Sequence, residues 1–159
     1  MDFNELINRY RRPLTAAAYH LLGDPDAAQD IVQETLLDAC RGFTGLRDKD
    51  RAGAWLYAIL RRKAYAHRQI RRQEAELPED PPSVDSDVLE ELTRGIVIEQ
   101  LERLSSEDRE ILAGKYLLGL SYQELAESLG ISNGAVRVRC LRAKEKLRKA
   151  FSNSMAEEV

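Results

Sequence analysis

The sequence is poor in residues that staple a fold, hold a metal or span a membrane. Its 159 residues include two cysteines, Cys40 and Cys140, with no CxxC or HxxxC pattern, and two histidines, His20 and His67. That spacing argues against a disulfide scaffold or a zinc site, so both thiols are read as small buried hydrophobes. No stretch approaches the roughly 18 uninterrupted apolar residues of a membrane span. The opening Met1-Asp2-Phe3-Asn4-Glu5 lacks the basic start and apolar run of a signal peptide. The expectation is a cytoplasmic protein with no membrane insertion. There is no Gly-rich phosphate loop and no nucleophile with a histidine partner, so an enzyme is the poorest reading and no cofactor is expected. Strand signals are also missing. Aromatic residues make up 6% against 43% hydrophobic and 32% charged, a helix-leaning composition. The length allows one domain or two small ones.

What is present is unevenly distributed. The net charge is -3, yet residues 1–72 carry 13 Lys/Arg against 9 Asp/Glu, residues 73–110 carry 3 against 13, and residues 111–159 carry 8 against 5. Two basic ends flanking an acidic middle are a hint of nucleic-acid contact. The middle itself, Gln73 to Glu90, reads QEAELPEDPPSVDSDVLE. Its prolines forbid helix interior and ladder alike, and too little of it is apolar to bury. It is read as an acidic, Pro-rich flexible linker between two helical domains, 1–72 and 91–159. Fully extended, 18 residues reach up to roughly 60 Å. Such a tether predicts that the two halves sample many relative orientations.

In the first half, Phe3, Leu6, Ile7 and Tyr10 repeat with helical period, and Pro13 predicts a break or a new first turn before Leu14–Leu22. Gly23 then stops a helix, and Asp24-Pro25 starts the next with a capping carboxylate and a proline in its first turn. One face of that helix holds Ala28, Ile31, Val32, Thr35 and Ala39; the other presents Asp30, Gln33, Glu34 and Asp38. After a connector rich in charge and glycine, a fourth helix is predicted from about Ala54 to Arg72.

In the second half, Ser105 opens a helix that Gly119 closes. Ser121-Tyr122-Gln123-Glu124 is a capping box, in which hydroxyl and carboxylate each satisfy an orphan amide. The short helix it opens ends at Gly130, and Ser132 caps a longer one. Helix, tight Gly-containing turn, helix is the helix-turn-helix signature. On the last helix Val136, Cys140, Ala143, Leu147 and Ala150 or Phe151 form one apolar stripe. The rest of its surface carries Asn133, Arg137, Arg139, Arg142, Lys144, Lys146, Arg148 and Lys149, with only Glu145 to offset them. In such a motif the first residues of the second helix reach base edges while flanking cations hold phosphates. Arg137 and Arg139 stand where bidentate contact to guanine is possible.

The run LSYQELAESLGISNGAVRVRCLRAKEKLR resembles region 4 of the sigma-70 family, in particular its extracytoplasmic-function group, whose pattern is LSYxEIAexLGISxGTVksRLhRArxxLR. The runs GDPDAAQDIVQETLLDACRGF and AWLYAILRRKAYAHRQIRR resemble successive helices of region 2 in the same group. The resemblance implies an all-α fold of two domains. It also implies a sigma factor that directs promoter-specific transcription initiation, with region 2 spanning 1–72 and region 4 spanning 91–159.

By the same resemblance, Asp30, Gln33, Glu34, Leu37 and Cys40 fall on the positions that bind RNA polymerase core, at the clamp helices of the largest subunit; the flap is the family's second contact. Phe43, Arg47 and Lys49 match the loop that captures a base flipped from the unwound -10 element. Arg61, Arg62, Lys63, Arg68, Arg71 and Arg72 are candidates for -10 phosphates and bases. Ser132, Asn133, Arg137, Arg139, Arg142, Lys146 and Arg148 are candidates for the -35 duplex. Trp55, which matches a family tryptophan, is read as core beside Leu56 and Ile59. His67 belongs to the basic face or simply faces solvent.

The chain departs from the pattern at Arg62 and Ala66, where Asn and Asp are usual. In the last helix it departs at Ala135, Val138, Cys140 and Leu141, in place of Thr, Ser, Leu and His. Its promoter preference therefore does not follow from the family average. No extension before Phe3 or after Ala156 offers masking within the chain, so control by an anti-sigma factor is the expectation. The competing readings are a sigma-like decoy for such a factor and an ordinary dimeric helix-turn-helix regulator. The first has no need of Arg137, Arg139 and Arg142, and the second no need of the Asp30-x-x-Gln33-Glu34 face.

Overall fold

The computed structural model describes residues 1–74 and 103–157, and all regular structure among them is helical. Helix α1 (Phe3–Leu22) opens on a capping box not singled out in the sequence: Glu5 N–H donates to Asp2 Oδ1 at 2.8 Å, and Asp2 N–H to Glu5 Oε2 at 3.1 Å. Contrary to expectation, Pro13 does not break it. An interior proline costs about 3 kcal/mol. The turns after it, however, bury Leu14, Ala16, Ala17, Ala18, Tyr19 and Leu21, and each large apolar side chain among them is worth about 1.5–3 kcal/mol. Burial overrides the local penalty. Gly23, at φ 69°, ends the helix in the left-handed region.

Helix α2 (Pro25–Gly42) starts as expected, with Asp24 Oδ1 accepting from the amides of Asp26 (3.0 Å) and Ala27 (3.4 Å). Two single-turn 3-10 segments, Phe43–Gly45 and Lys49–Arg51, lead into α3 (Ala52–Glu74). Gln73 and Glu74 thus continue α3, and the remainder of the expected linker lies outside the described residues.

Ser105 caps α4 (Ser106–Leu112), which runs on through one π-helical turn, Ala113–Leu117. Helix α5 (Tyr122–Leu129) carries the expected capping box, Gly130 follows at φ 68°, and α6 (Asn133–Glu157) completes the helix-turn-helix. Ser132 Oγ accepts from the Ala135 amide at 3.1 Å.

The two halves are not independent. One apolar cluster runs through both, joining Leu14, Leu56, Tyr57 and Leu60 to Ala113, Leu118, Leu120, Leu125 and Val136. Among the described residues this replaces the expected spread of orientations by one packed arrangement. The length of a tether limits how far the halves can separate, whereas the apolar surface they bury together decides whether they do. Gly114, in the π turn, makes the approach possible: a Cβ there would stand 2.6 Å from Leu125 Cδ2 and 3.0 Å from Tyr57 Cε1. Gly114→Val should therefore destabilise by about 1–3 kcal/mol through overpacking. It should also enlarge the particle in small-angle scattering, while an unchanged profile would show that the contact tolerates the extra bulk.

His20 lies at the same contact. It is buried on α1, its carbonyl accepts from Arg109 Nη1 of α4 at 3.3 Å, and its Nδ1 has no hydrogen-bond partner among the described residues. Burial first, and the Arg109 charge second, lower its pKa from 6.5 to about 4. The folded form therefore holds a neutral imidazole. Stability is intact above the unfolded pKa and falls as pH drops through the window from 6.5 to about 4, by about 3 kcal/mol in full. In denaturant unfolding, His20→Gln should lose that part of the pH slope; identical slopes for variant and parent would contradict it.

Candidate nucleic-acid interface

The outer face of α2 is built by its inner one. Ala28, Ile31, Val32, Thr35 and Ala39 are buried, and Thr35 Oγ1 donates to the Ile31 carbonyl at 2.7 Å. Asp30, Gln33 and Glu34 therefore face solvent, with Leu37 58% exposed one turn on. Cys40 is exposed as well, a correction to its reading as a buried hydrophobe; Cys140 is buried as expected. Cys40 sits on the polar side of the helix because Ala39 occupies the inward position. Lys63 of α3 reaches this face, 2.9 Å from Asp38 Oδ2 and 3.9 Å from Glu34 Oε2. Its hydrogen bond is the main cause of the lowered pKa of Asp38.

The residues grouped for single-stranded DNA do not fall in one place. Phe43 and Lys49 close on one another: Lys49 Nζ lies 3.6 Å from the Phe43 ring centroid and donates to its carbonyl at 3.0 Å. Phe3 meets the same ring edge-on at 5.5 Å, while Arg47 is exposed nearby. Exposed Arg62 and half-buried Lys63 line a shallow hollow with Asp38, Ile59 and Ala66 on the α2 side.

Arg61 and Arg68 point the other way, against the second half. Arg61 Nη1 donates to Ser128 O (3.0 Å) and Oγ (3.1 Å), and its Nη2 lies 3.3 Å from Glu110 Oε2. Arg68 Nη2 stands 3.9 Å from Glu110 Oε1. The hydroxyl of Tyr57 donates to the Glu110 carbonyl, and burial pushes its pKa far above the ordinary value. Arg71 pairs with Asp24 at 3.1 Å, and Arg72 lies where only the backbone of α3 is described. Trp55 is half-buried against the core, and His67 is half-buried on α3.

On α6, Val136, Cys140 and Ala143 are buried and Arg137, Arg139 and Arg142 are exposed. Arg137 is held in place: its Nε donates to Asn133 Oδ1 at 2.8 Å, Asn133 Nδ2 donates to Gln123 Oε1 at 3.3 Å, and the guanidinium lies 5.1 Å from the Tyr122 ring centroid. Among the described residues the hydrogen bond of Arg137 uses its Nε, which leaves the two Nη groups for a two-point contact. Further along, Lys146 is 3.0 Å from Asp108 Oδ2 of α4 and Arg148 is 2.8 Å from Glu145 Oε1. Glu145 is thus not the sole offset to this face, since α4 supplies a second carboxylate.

Two family models match the chain: Sigma-70 region 2 over residues 6–75, and Sigma-70 region 4 over residues 94–147. The ECF RNA polymerase sigma factor SigL of Mycobacterium tuberculosis is 32% identical over 143 residues, 84% of this chain and 80% of SigL. The chain belongs to the extracytoplasmic-function group of the sigma-70 family. It is also similar to the RNA polymerase sigma factor NccH of Alcaligenes xylosoxydans xylosoxydans, 30% identical over 164 residues, 96% of this chain and 88% of NccH. Among solved structures, the sigma factor RpoE in complex with the anti-sigma factor NepR from Bartonella quintana aligns with a TM-score of 0.80 at 26% identity, covering 95% of this chain and 97% of that one. CnrH in complex with the cytosolic domain of CnrY aligns with a TM-score of 0.69 at 28% identity, covering 95% and 88%.

The chain is therefore an RNA polymerase sigma factor, a non-enzymatic protein of transcription initiation. No described helix of this sigma factor is long and apolar enough to cross a membrane. Sequence reasoning missed three parts of its surface: Glu110 and Ser128 covering Arg61, Tyr122 beneath Arg137, and Asp108 facing Lys146. The last two lie within the helix-turn-helix half, where the helical offset of Tyr122 offered a signal. The first joins residues about fifty or more positions apart and left none.

Proposed function

We propose that this sigma factor divides its work among three surfaces. The α2 face of Asp30, Gln33, Glu34, Leu37 and Cys40 takes the clamp helices of the polymerase largest subunit. The amino-terminal part of α6, with Ser132, Asn133, Arg137, Arg139 and Arg142, reads the -35 duplex while Lys146 and Arg148 steady it on phosphates. Phe43, Arg47, Lys49, Arg61, Arg62, Lys63, Arg68, Arg71 and Arg72 serve the -10 element. Residues 1–72 and 91–159 act as the two working domains, with the part of 73–90 that follows α3 as tether. The observation that carries the reading is that the acidic α2 face and the cationic α6 face are both exposed on one packed particle.

Arg61 and Arg68 meet Glu110 in this arrangement, so they reach DNA only after the halves part. The packed form is then a resting state, and polymerase, which takes the two domains at separate places, opens it. An anti-sigma factor, such as those bound to RpoE and CnrH, would hold the closed form or cover the α2 face.

Mixing the protein with core polymerase and a genomic promoter library tests the proposal. Transcripts from a restricted promoter set, absent with core alone, are expected. Binding of an anti-sigma factor without any initiation would favour the decoy reading.

A further inference from the structure

The last helix carries apolar groups where a solvated helix would carry polar ones. Val138 is 46% exposed and Leu141 65% exposed, and both replace polar residues of the family pattern. At about 100° per residue, Val138 stands about 160° around α6 from buried Cys140, and Leu141 about 60° from Val138. Gly134, one turn earlier, has open space where a Cβ would point. These three residues form the outermost line of the first turns of α6, and exposed Glu145 follows on the same line one turn beyond Leu141. Arg137 lies about 40° to one side of Leu141 and Arg142 about 40° to the other side of Val138.

An apolar line edged by cations calls for a surface that is apolar in the middle and offers acceptors or anionic groups to either side. The DNA major groove has that profile, with phosphates along its edges and thymine C5-methyl groups on its floor. In helix-turn-helix docking the outermost line of the second helix goes deepest, and the bare Gly134 lets the backbone come close.

We infer that Val138 and Leu141 read thymine methyl groups in the -35 element. The inference deepens the -35 reading above and rests on it. The two residues are about 4.5 Å apart along the helix axis, close to the 3.4 Å rise of one base pair, so they address neighbouring base pairs. Arg142 then sets the register from one groove edge, while Arg137, on the other side of Leu141, reaches the base pair beside them.

The test uses the full chain with core polymerase. Its preferred upstream duplex is first selected from a pool randomised over the -35 region. Thymines in the winning site are then replaced one at a time by uracil, which removes only the methyl. The selected site should carry thymine at neighbouring positions, and uracil there should weaken wild-type binding about fourfold, the worth of one buried methyl group. Val138→Ala should lose the thymine–uracil difference at one position and Leu141→Ala at the other. Both side chains are exposed, so neither change disturbs the packed stripe.

Equal binding of thymine and uracil by the wild type would overturn the inference, as would a penalty that persists in both variants. If the variants instead lost affinity for core polymerase or self-association with DNA discrimination intact, the strip would belong to a protein partner. A wild-type holoenzyme with no upstream preference at all would defeat the -35 reading itself, and this inference with it.

Discussion

Replacing Asp30, Gln33 and Glu34 together by alanine should abolish co-purification with core polymerase while leaving the helical fold in place. The three side chains stand on one exposed face, spaced three and four apart, and present two carboxylates and an amide to a basic partner. Truncation of interface anchors costs about 2 kcal/mol or more each, so losing two of them lowers affinity on the order of 1000-fold. The fold should survive because Ile31, Val32, Thr35 and Ala39 hold α2 from the other side and alanine favours helix. Loss of the long Glu34–Lys63 pair matters little, since exposed pairs contribute about 0–1 kcal/mol. Circular dichroism and thermal melting check the fold, and gel filtration with core checks the binding. Undiminished binding by the folded triple variant would remove the polymerase assignment from α2.

Substitutions along α6 should separate into two kinds. Arg137→Ala should cost about 1–3 kcal/mol in -35 affinity and relax preference at one base pair, as loss of a bidentate guanine contact does. Asn133→Ala should reproduce part of that loss, because Asn133 Oδ1 fixes the Arg137 Nε and so aims the guanidinium. Lys146→Ala and Arg148→Ala should weaken all sequences alike and lower the salt slope by about one per lost phosphate contact. Their effect should be the smaller, because Asp108 and Glu145 already neutralise them in the unbound form. Competition between selected and scrambled duplexes at two salt concentrations distinguishes the kinds. Four variants with the same profile would mean that α6 does not divide base reading from phosphate holding.

The helices were legible because each is signalled locally. Asp24-Pro25, Ser121 with Glu124, and Gly130 act within a turn or two of themselves, and the apolar periodicity of α2 and α6 names the buried face and hence the exposed one. Pro13 was misleading for the opposite reason: what holds α1 through it is burial of Leu14 to Leu21 against helices distant in sequence. The same limit applies to the cations. Arg61 and Arg62 are indistinguishable in a string of basic residues, yet one lies against Ser128 and Glu110 and the other in solvent. Periodicity places a residue on a face but does not say what that face meets. The packing of the two halves turns on Tyr57, Gly114 and Leu125, and nothing in the flanking sequence links a glycine inside a helical pattern to a tyrosine on another helix.

The most direct test of this division of labour is site-specific crosslinking in a transcribing complex. A photoreactive amino acid at Leu37 and, separately, at Val138 would be activated after the full chain has assembled with core polymerase on a promoter it initiates from. The expected result is that Leu37 crosslinks to the polymerase largest subunit and not to DNA, whereas Val138 crosslinks to the upstream duplex. Crosslinks from Leu37 to promoter DNA, or from Val138 to polymerase alone, would contradict the assignment of α2 to the enzyme and α6 to the promoter.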